Sequence, residues 1–242
     1  MINNKNKERI DELLLKYINK KSKVLACGVG DGSEIVYLRS KDYQAYGIDP
    51  SRLDKKKITK IKKFIENSEM SPNIFGKLKF DFIYAFEVFE HVGCINYGTI
   101  LSKDYYNKRL FFLKSIIKKL KKNGSCFITT GNKNFIIDIG HFHKYSPIAK
   151  FFKSILNINI SLPISKQNFL FNYRDFKKIL LILKSQGLNF DYNFEDMSFY
   201  PSITRKTGLK SFFIRAYLKI VNIKLLRESF LNPIIGLKIK KR

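Results

Sequence analysis

Apolar positions along the chain follow two alternating rhythms. Lys23–Cys27 (KVLAC), Gln44–Ile48 (QAYGI), Phe80–Phe86 (FDFIYAF) and Ser125–Thr130 (SCFITT) are short runs with apolar residues at most positions, the pattern of strands covered on both faces. Between them apolar residues recur at helical spacing. Arg9–Ile18 (RIDELLLKYI) carries acids in its first turn, and Glu34–Ser40 follows Ser33, the expected cap. Leu53, Ile58, Ile61 and Ile65 predict a helix whose solvated face holds the Lys55–Lys63 cluster. Asp104–Leu120 carries a stripe of Leu110, Leu113, Ile116, Ile117 and Leu120, closed by Lys121-Lys122-Asn123-Gly124. Strand and helix alternate from Lys23 to Gly131, which predicts parallel strands joined by crossover helices, an α/β doubly wound sheet.

Past Gly131 the rhythm changes. Gly131–Leu170 is irregular and aromatic. Tyr173–Lys184 reads as a helix with Asn172 as cap and Gly187 as stop. Leu188–Tyr200 reads as extended, Leu209–Glu228 as a basic amphipathic stretch, and Asn232–Lys240 (NPIIGLKIK) as a final strand. A single domain over 1–242 accommodates all of this.

Bulk properties narrow the class. Of 242 residues 45% are hydrophobic and 14% aromatic, which excludes a disordered or fibrous chain. Cys27, Cys94 and Cys126 are too few and too scattered for a disulfide framework or a zinc site. The segment MINNKNKERIDE lacks the apolar core of a signal peptide, and no stretch of 18 uninterrupted apolar residues exists. The expectation is a reduced, cytoplasmic, globular protein. The net charge of +26 attracts phosphates, acidic substrates and anionic membranes. Yet the lysines come with abundant Ile, Asn, Phe and Tyr and no Trp, as an AT-rich coding sequence produces. Basicity alone therefore does not identify a nucleic-acid binder.

The first strand ends in Gly28-x-Gly30-x-Gly32, with Ser33 where a dinucleotide fingerprint has glycine. Such glycines let backbone turn sharply and approach a ligand at the start of a helix. Asp49 ends the second strand, 17 residues past Gly32. A carboxylate there can accept both hydroxyls of a ribose.

VLACGVGDGSE, YGIDPS, FDFIYAFEVFEHV and LKKNGSCFITTGN, in this order, resemble the class I S-adenosylmethionine-dependent methyltransferases, closest to the small-molecule type with an E-H pair after the fourth strand. The resemblance covers residues 23–132. It implies a Rossmann-like, mostly parallel seven-stranded sheet whose last strand, from NPIIGLKIKK, is antiparallel. It implies a cofactor-binding half at 20–132, a lid and substrate insertion at 133–175, and a C-terminal sheet half at 176–242 with a helical insertion at 205–230. It implies S-adenosyl-L-methionine as cofactor, with Gly28, Gly30 and Gly32 along its methionine portion. Asp49 and Pro50 would lie at the ribose, and Phe86 and Glu87 near the cofactor and the substrate entrance. Two departures stand out. Ala26 replaces the acid that orients the cofactor's amino end, and the region after the third strand has only Glu69, with Pro72 and Asn73 as candidates for the adenine wall.

Methyl transfer to oxygen is helped by a base near the methyl, and all three histidines fall in candidate places. His91 belongs to the E-H pair, where it either pins the loop or acts on the substrate. His141 and His143, ten and twelve residues past Gly131, lie in GHFHKYSP, with Tyr145 as a further contact. His141 and His143 with Asp138 make too small a set to read as a metal site, so no metal is expected. Aromatics from Phe142 to Tyr173 make a lid that doubles as a pocket wall. The stretch 210–227 is either an ordinary insertion or a peripheral contact with an anionic membrane at the inner face.

The expected acceptor is a small molecule, sugar or lipid-linked glycan. A nucleic-acid acceptor is disfavoured, because Ala85-Phe86-Glu87-Val88 stands where base amino-methylation uses an Asn/Asp-Pro-Pro-aromatic loop. An inactive scaffold with this fold finds support in Ala26 alone. Oligomeric state is not readable from the sequence.

Overall fold

The computed structural model describes residues 4–51, 59–135, 154–155, 169–198 and 209–242. Its strands are β1 (Lys23–Cys27), β2 (Gln44–Ile48), β3 (Ile65–Glu66), β4 (Phe80–Phe86), β5 (Leu120–Gly131), β6 (Phe190–Phe194) and β7 (Ile234–Lys241). They form one seven-stranded sheet in the order β3-β2-β1-β4-β5-β7-β6. β1 to β5 run parallel, and β7 is antiparallel to both β5 and β6. The doubly wound core is the one the strand–helix alternation predicts, and the antiparallel final strand is the one the resemblance implies. The α-helices bounded within the described residues are α1 (Asn4–Arg9), α2 (Ser33–Ser40), α3 (Tyr105–Lys119), α4 (Tyr173–Ser185) and α5 (Leu209–Val221).

Side-chain alternation explains the layering. Along β1, Leu25 and Cys27 enter one apolar layer, while Val24 and Ala26 enter the other. The first layer takes Phe112, Leu113 and Ile116 of α3 and Phe176, Ile179 and Leu180 of α4. The second takes Ile35 and Leu38 of α2 with Ile10 and Leu14, which follow α1. β1 and β4 are thus covered on both faces, which is why their sequences read as continuous apolar runs.

Some boundaries differ from the periodicity. Arg9–Ile18 is not one α-helix: α1 passes into a π-helix at Ile10–Leu14. Ser33 is the first helical residue rather than the cap, which is Gly32. Thr59–Phe64 is a 3-10 helix, and Ile65, counted above on a helical stripe, starts β3. Two residues of strand suffice there because β3 is an edge paired only through Gly47 and Ile48. Asn172 caps α4 by accepting from the Asp175 amide at 2.8 Å, as expected.

Candidate functional site

The carboxyl ends of the parallel strands open onto one cavity of about 520 Å³. One wall comes from β1 and β2. Gly28 and Gly30 both have positive φ, +77° and +51°. A Cβ on Gly28 would lie 2.3 Å from a Val88 methyl, so only glycine fits where this loop meets the chain after β4. A Cβ on Gly30 would meet nothing within 4 Å, so the backbone there faces open space. The Gly30 amide donates to Asp49 Oδ2 at 2.8 Å, and the Ser51 amide donates to Oδ1 at 2.9 Å. The Ser51 hydroxyl also donates to Oδ1. Asp49 is buried and lines the cavity, and with about four lone pairs in all its carboxylate keeps room for about one further donor, at Oδ2.

The floor and far wall come from the segments after β3 and β4. Ser68, Glu69 and Met70 line the cavity, whereas Pro72 and Asn73 are not in the lining. The buried Ser68 hydroxyl has no hydrogen-bond partner among the described residues. Glu69 accepts from the Tyr97 hydroxyl at 2.8 Å. Burial, with the Glu69 carboxylate beside it, pushes that phenol up to about 12. Asn67 ties this wall to the first by donating to the backbone carbonyls of Asp49 and Ser51.

Glu87, Val88, His91, Val92 and Gly93 continue the lining, and Asn107, Lys108, Phe111 and Phe112 of α3 close it. Glu87 holds a left-handed backbone at φ +56°. Its carboxylate accepts from Arg9 Nη1 at 3.0 Å, and Arg9 also faces Glu34 at 3.5 Å. Glu34 in turn accepts from Tyr84 at 3.0 Å. Ala26 of β1 lies in register with Tyr84, so this buried set of Arg9, Glu34 and Tyr84 stands on the Ala26 side of the sheet. His91 Nδ1 is 2.9 Å from the Gly98 carbonyl, and its ring stacks on Phe169. A carbonyl only accepts, so Nδ1 carries the proton and Nε2 is the basic nitrogen of the neutral ring.

Arg109 of α3 fixes this wall from behind. Its Nε donates to Val92 O at 2.9 Å, and Nη2 donates to Glu90 O at 2.8 Å and Phe169 O at 2.6 Å. Its guanidinium lies over the Phe171 ring, 4.4 Å from the centroid. Glu90 is fully buried, and neither carboxyl oxygen has a hydrogen-bond partner among the described residues. Burial pushes its carboxyl up to about 7.

Of the residues singled out from sequence, the cavity brings together Gly28, Gly30, Asp49, Pro50, Glu87 and His91. Gly32 lies outside the lining, at the start of α2, and Phe86 packs on Tyr84 and Phe127 in the second apolar layer. His141, His143, Asp138 and Tyr145 lie outside the described residues, as does most of the aromatic insertion. Arg9, Arg109 and Ser68 had no local signal. Both arginines act on segments 60 or more residues away for at least one contact, and nothing in a sequence marks that pairing. No group of three metal-ligating side chains exists among the described residues.

A family model for a methyltransferase domain matches residues 2–181. No curated protein matches the chain. Among solved structures, the plantazolicin methyltransferase BamL, in complex with a triazolic desmethylPZN analogue and SAH, aligns with a TM-score of 0.52 at 17% identity, over 93% of this chain and 79% of that one. The plantazolicin methyltransferase BpumL gives 0.51 at 12% identity, over 98% and 83%. Phosphoethanolamine N-methyltransferase 2 of Haemonchus contortus, in complex with S-adenosyl-L-methionine, gives 0.50 at 15% identity, and there 97% of this chain spans only 52% of that one. At these identities the solved structures speak for the fold, and the domain match, over most of the chain, speaks for the family. The chain belongs to the methyltransferase-domain family, with the Rossmann-like fold of the class I S-adenosylmethionine-dependent methyltransferases.

Proposed function

We propose that the protein transfers a methyl group from S-adenosylmethionine to a small-molecule, sugar or lipid-linked glycan acceptor at the cavity above the strand ends. The observation that carries this reading is the convergence on one cavity of a positive-φ glycine backbone, the Asp49 carboxylate and an imidazole. The cavity volume falls among small-molecule sites, roughly 300–1,000 Å³.

The residues present fit the cofactor. Asp49 keeps acceptor capacity at Oδ2 for one ribose hydroxyl after its bonds to Gly30 and Ser51, and the second hydroxyl would take the place of the Ser51 hydroxyl at Oδ1. The Ser68 hydroxyl, unpartnered among the described residues, and the Met70 side chain line the cavity and would offer a heteroaromatic base a polar edge and an apolar face. With alanine at position 26, Glu87 is the lining carboxylate left for the cofactor's ammonium, and Arg9 fixes its position. When bound, S-adenosylmethionine supplies a sulfonium methyl open to in-line displacement. The protein's part is to orient the acceptor, exclude water and take the acceptor's proton. His91 serves as that base through Nε2, with Nδ1–H held by Gly98. His141 and His143 stand as further candidates on sequence grounds.

The test is S-adenosylhomocysteine release with pooled small-molecule, sugar and lipid-linked acceptors, for the protein and for His91→Asn. Asparagine can still donate to the Gly98 carbonyl but carries no base. Turnover is expected to fall about 100-fold or more, with cofactor affinity unchanged. Equal turnover would confine His91 to pinning the loop.

A further inference from the structure

We propose that α5 and the turn after it form a docking surface for an anionic lipid bilayer. The inner side of α5 is fastened to the sheet. Leu218, Val221 and Asn222 are buried, and Asn222 Oδ1 accepts from the Met197 amide at 2.9 Å and from Asn232 at 3.1 Å. Arg227 donates twice to the Asn222 carbonyl and once to that of Phe194. Tyr217 closes the set by donating to the Leu231 carbonyl at 2.5 Å. The helix is therefore held in one rotational setting, and its outer side is a fixed surface.

That outer side is apolar and exposed. Phe212, Phe213 and Ile220 show 66%, 60% and 58% of their surface. At about 100° per residue they fall with Ala216 in one stripe roughly 100° wide. Ile223, Phe230 and Leu225, the last 87% exposed, extend the surface past the helix end. An apolar patch of this kind marks a contact rather than ordinary surface.

Charge identifies the occupant. From Leu209 to Phe230 the chain has five cations, Lys210, Arg215, Lys219, Lys224 and Arg227, and one acid, Glu228, which is paired with Lys177 of α4. Arg215 and Lys219 flank the stripe on one side, as helical spacing places them. A second copy would bring two such cationic rims together, with five cations to one acid on each side and that acid already paired with Lys177. A bilayer rich in acidic headgroups offers hydrocarbon to the stripe and phosphate to the rim. The depth required is that of an interfacial helix, since no described helix is long and apolar enough to cross a membrane.

The position of α5 gives docking a purpose, and this clause alone rests on the methyl-transfer reading. Asn132, just past β5, donates to the Ser229 and Asn232 carbonyls at 3.1 and 2.7 Å, and the Phe135 ring lies 6.4 Å from Tyr217. α5 thus stands near the carboxyl end of β5, at the same end of the sheet as the cavity. A protein docked through it presents that end to the membrane surface, where a lipid-linked acceptor is held.

The absence of tryptophan from the sequence makes the test direct. Phe213→Trp places one tryptophan on the stripe. Its emission is expected to be that of an exposed indole in buffer. It should shift to the blue, with co-sedimentation, on vesicles of phosphatidylcholine with phosphatidylglycerol, and not on phosphatidylcholine alone. Adding Phe212→Glu and Ile220→Glu should weaken vesicle binding at least about tenfold at physiological salt, with calorimetric cofactor affinity unchanged. Binding that persists in the triple variant would overturn the proposal in favour of diffuse attraction to the +26 charge. Blue emission before lipid would overturn it in favour of another part of the chain or, if concentration-dependent, a second copy. Loss of cofactor binding with docking intact would refute the catalytic reading and leave the docking surface standing.

Discussion

The two walls of the cavity are held by different means. The wall from β1 and β2 is built at short range: the Gly30 amide and the Ser51 amide and hydroxyl all converge on Asp49, within 19 residues of it. The wall after β4 is built at long range: Arg9 reaches Glu87 across 78 positions, and Arg109 reaches Phe169 across 60. The first wall is the work of backbone conformation, the second of buried side-chain charge. Removing a residue from the first should therefore cost ligand affinity, and removing one from the second should cost stability first.

The sharpest way to break that contrast is Arg109→Met. It keeps much of the apolar stem and leaves the Val92, Glu90 and Phe169 carbonyls without this donor. At roughly 1–3 kcal/mol for each buried group left unpaired, a loss of about 3–5 kcal/mol is expected in urea unfolding. A loss below about 1 kcal/mol would mean that the second wall does not depend on this arginine. The complementary change is Asp49→Ala. Losing charge-assisted bonds worth about 2–3 kcal/mol should weaken cofactor binding roughly 30- to 150-fold. Melting temperature should move little by comparison, and a large unfolding effect with intact affinity would reverse the assignment of the walls.

Glu90 sharpens the contrast through pH. Asp49 is buried with partners, and Glu90 is buried without them among the described residues. Burial raises the Glu90 carboxyl from 4.5 to about 7, so the folded state holds its proton more tightly than the unfolded chain. Its contribution is full below pH 4.5 and is lost as pH rises to about 7. The protein should lose roughly 2–3 kcal/mol from this group over that window, and Glu90→Gln should remove that slope. Identical pH profiles for the two proteins would show that the carboxyl ionises freely. The smallest effect is expected at Arg9→Gln. Glu87 is partly exposed, so the pair is screened, and cofactor affinity should fall only several-fold. A change of a hundredfold would mean that Arg9 touches the ligand itself.

The same contrast decides what was legible in the sequence. The sheet was, because a strand covered on both faces writes a continuous apolar run, and the antiparallel β7 followed from the resemblance of its motifs. Gly28, Gly30 and Asp49 were, because local backbone demands leave local marks. Arg109 was hidden in a helix whose stripe begins one residue later, at Leu110, and it looked like one more surface cation among 46. Ile65 was misplaced because Ile61 and Ile65 satisfy helical spacing while the chain between them forms a 3-10 helix and then a two-residue strand. Short edge elements such as β3 are set by what they pair with, which periodicity does not encode. The Asn132, Asn222 and Asn232 set that fastens α5 was likewise invisible, since three asparagines 10 and 90 residues apart carry no shared pattern.

The account rests most heavily on the cavity being the cofactor site, and calorimetric titration of the purified protein tests that directly. S-adenosylmethionine and S-adenosylhomocysteine should each bind at one site per chain with micromolar affinity, and NADH should give no heat. Binding of NADH, or of none of the three, would contradict it, because a ribose-binding Asp49 beside an open glycine backbone would then be serving some other ligand or none.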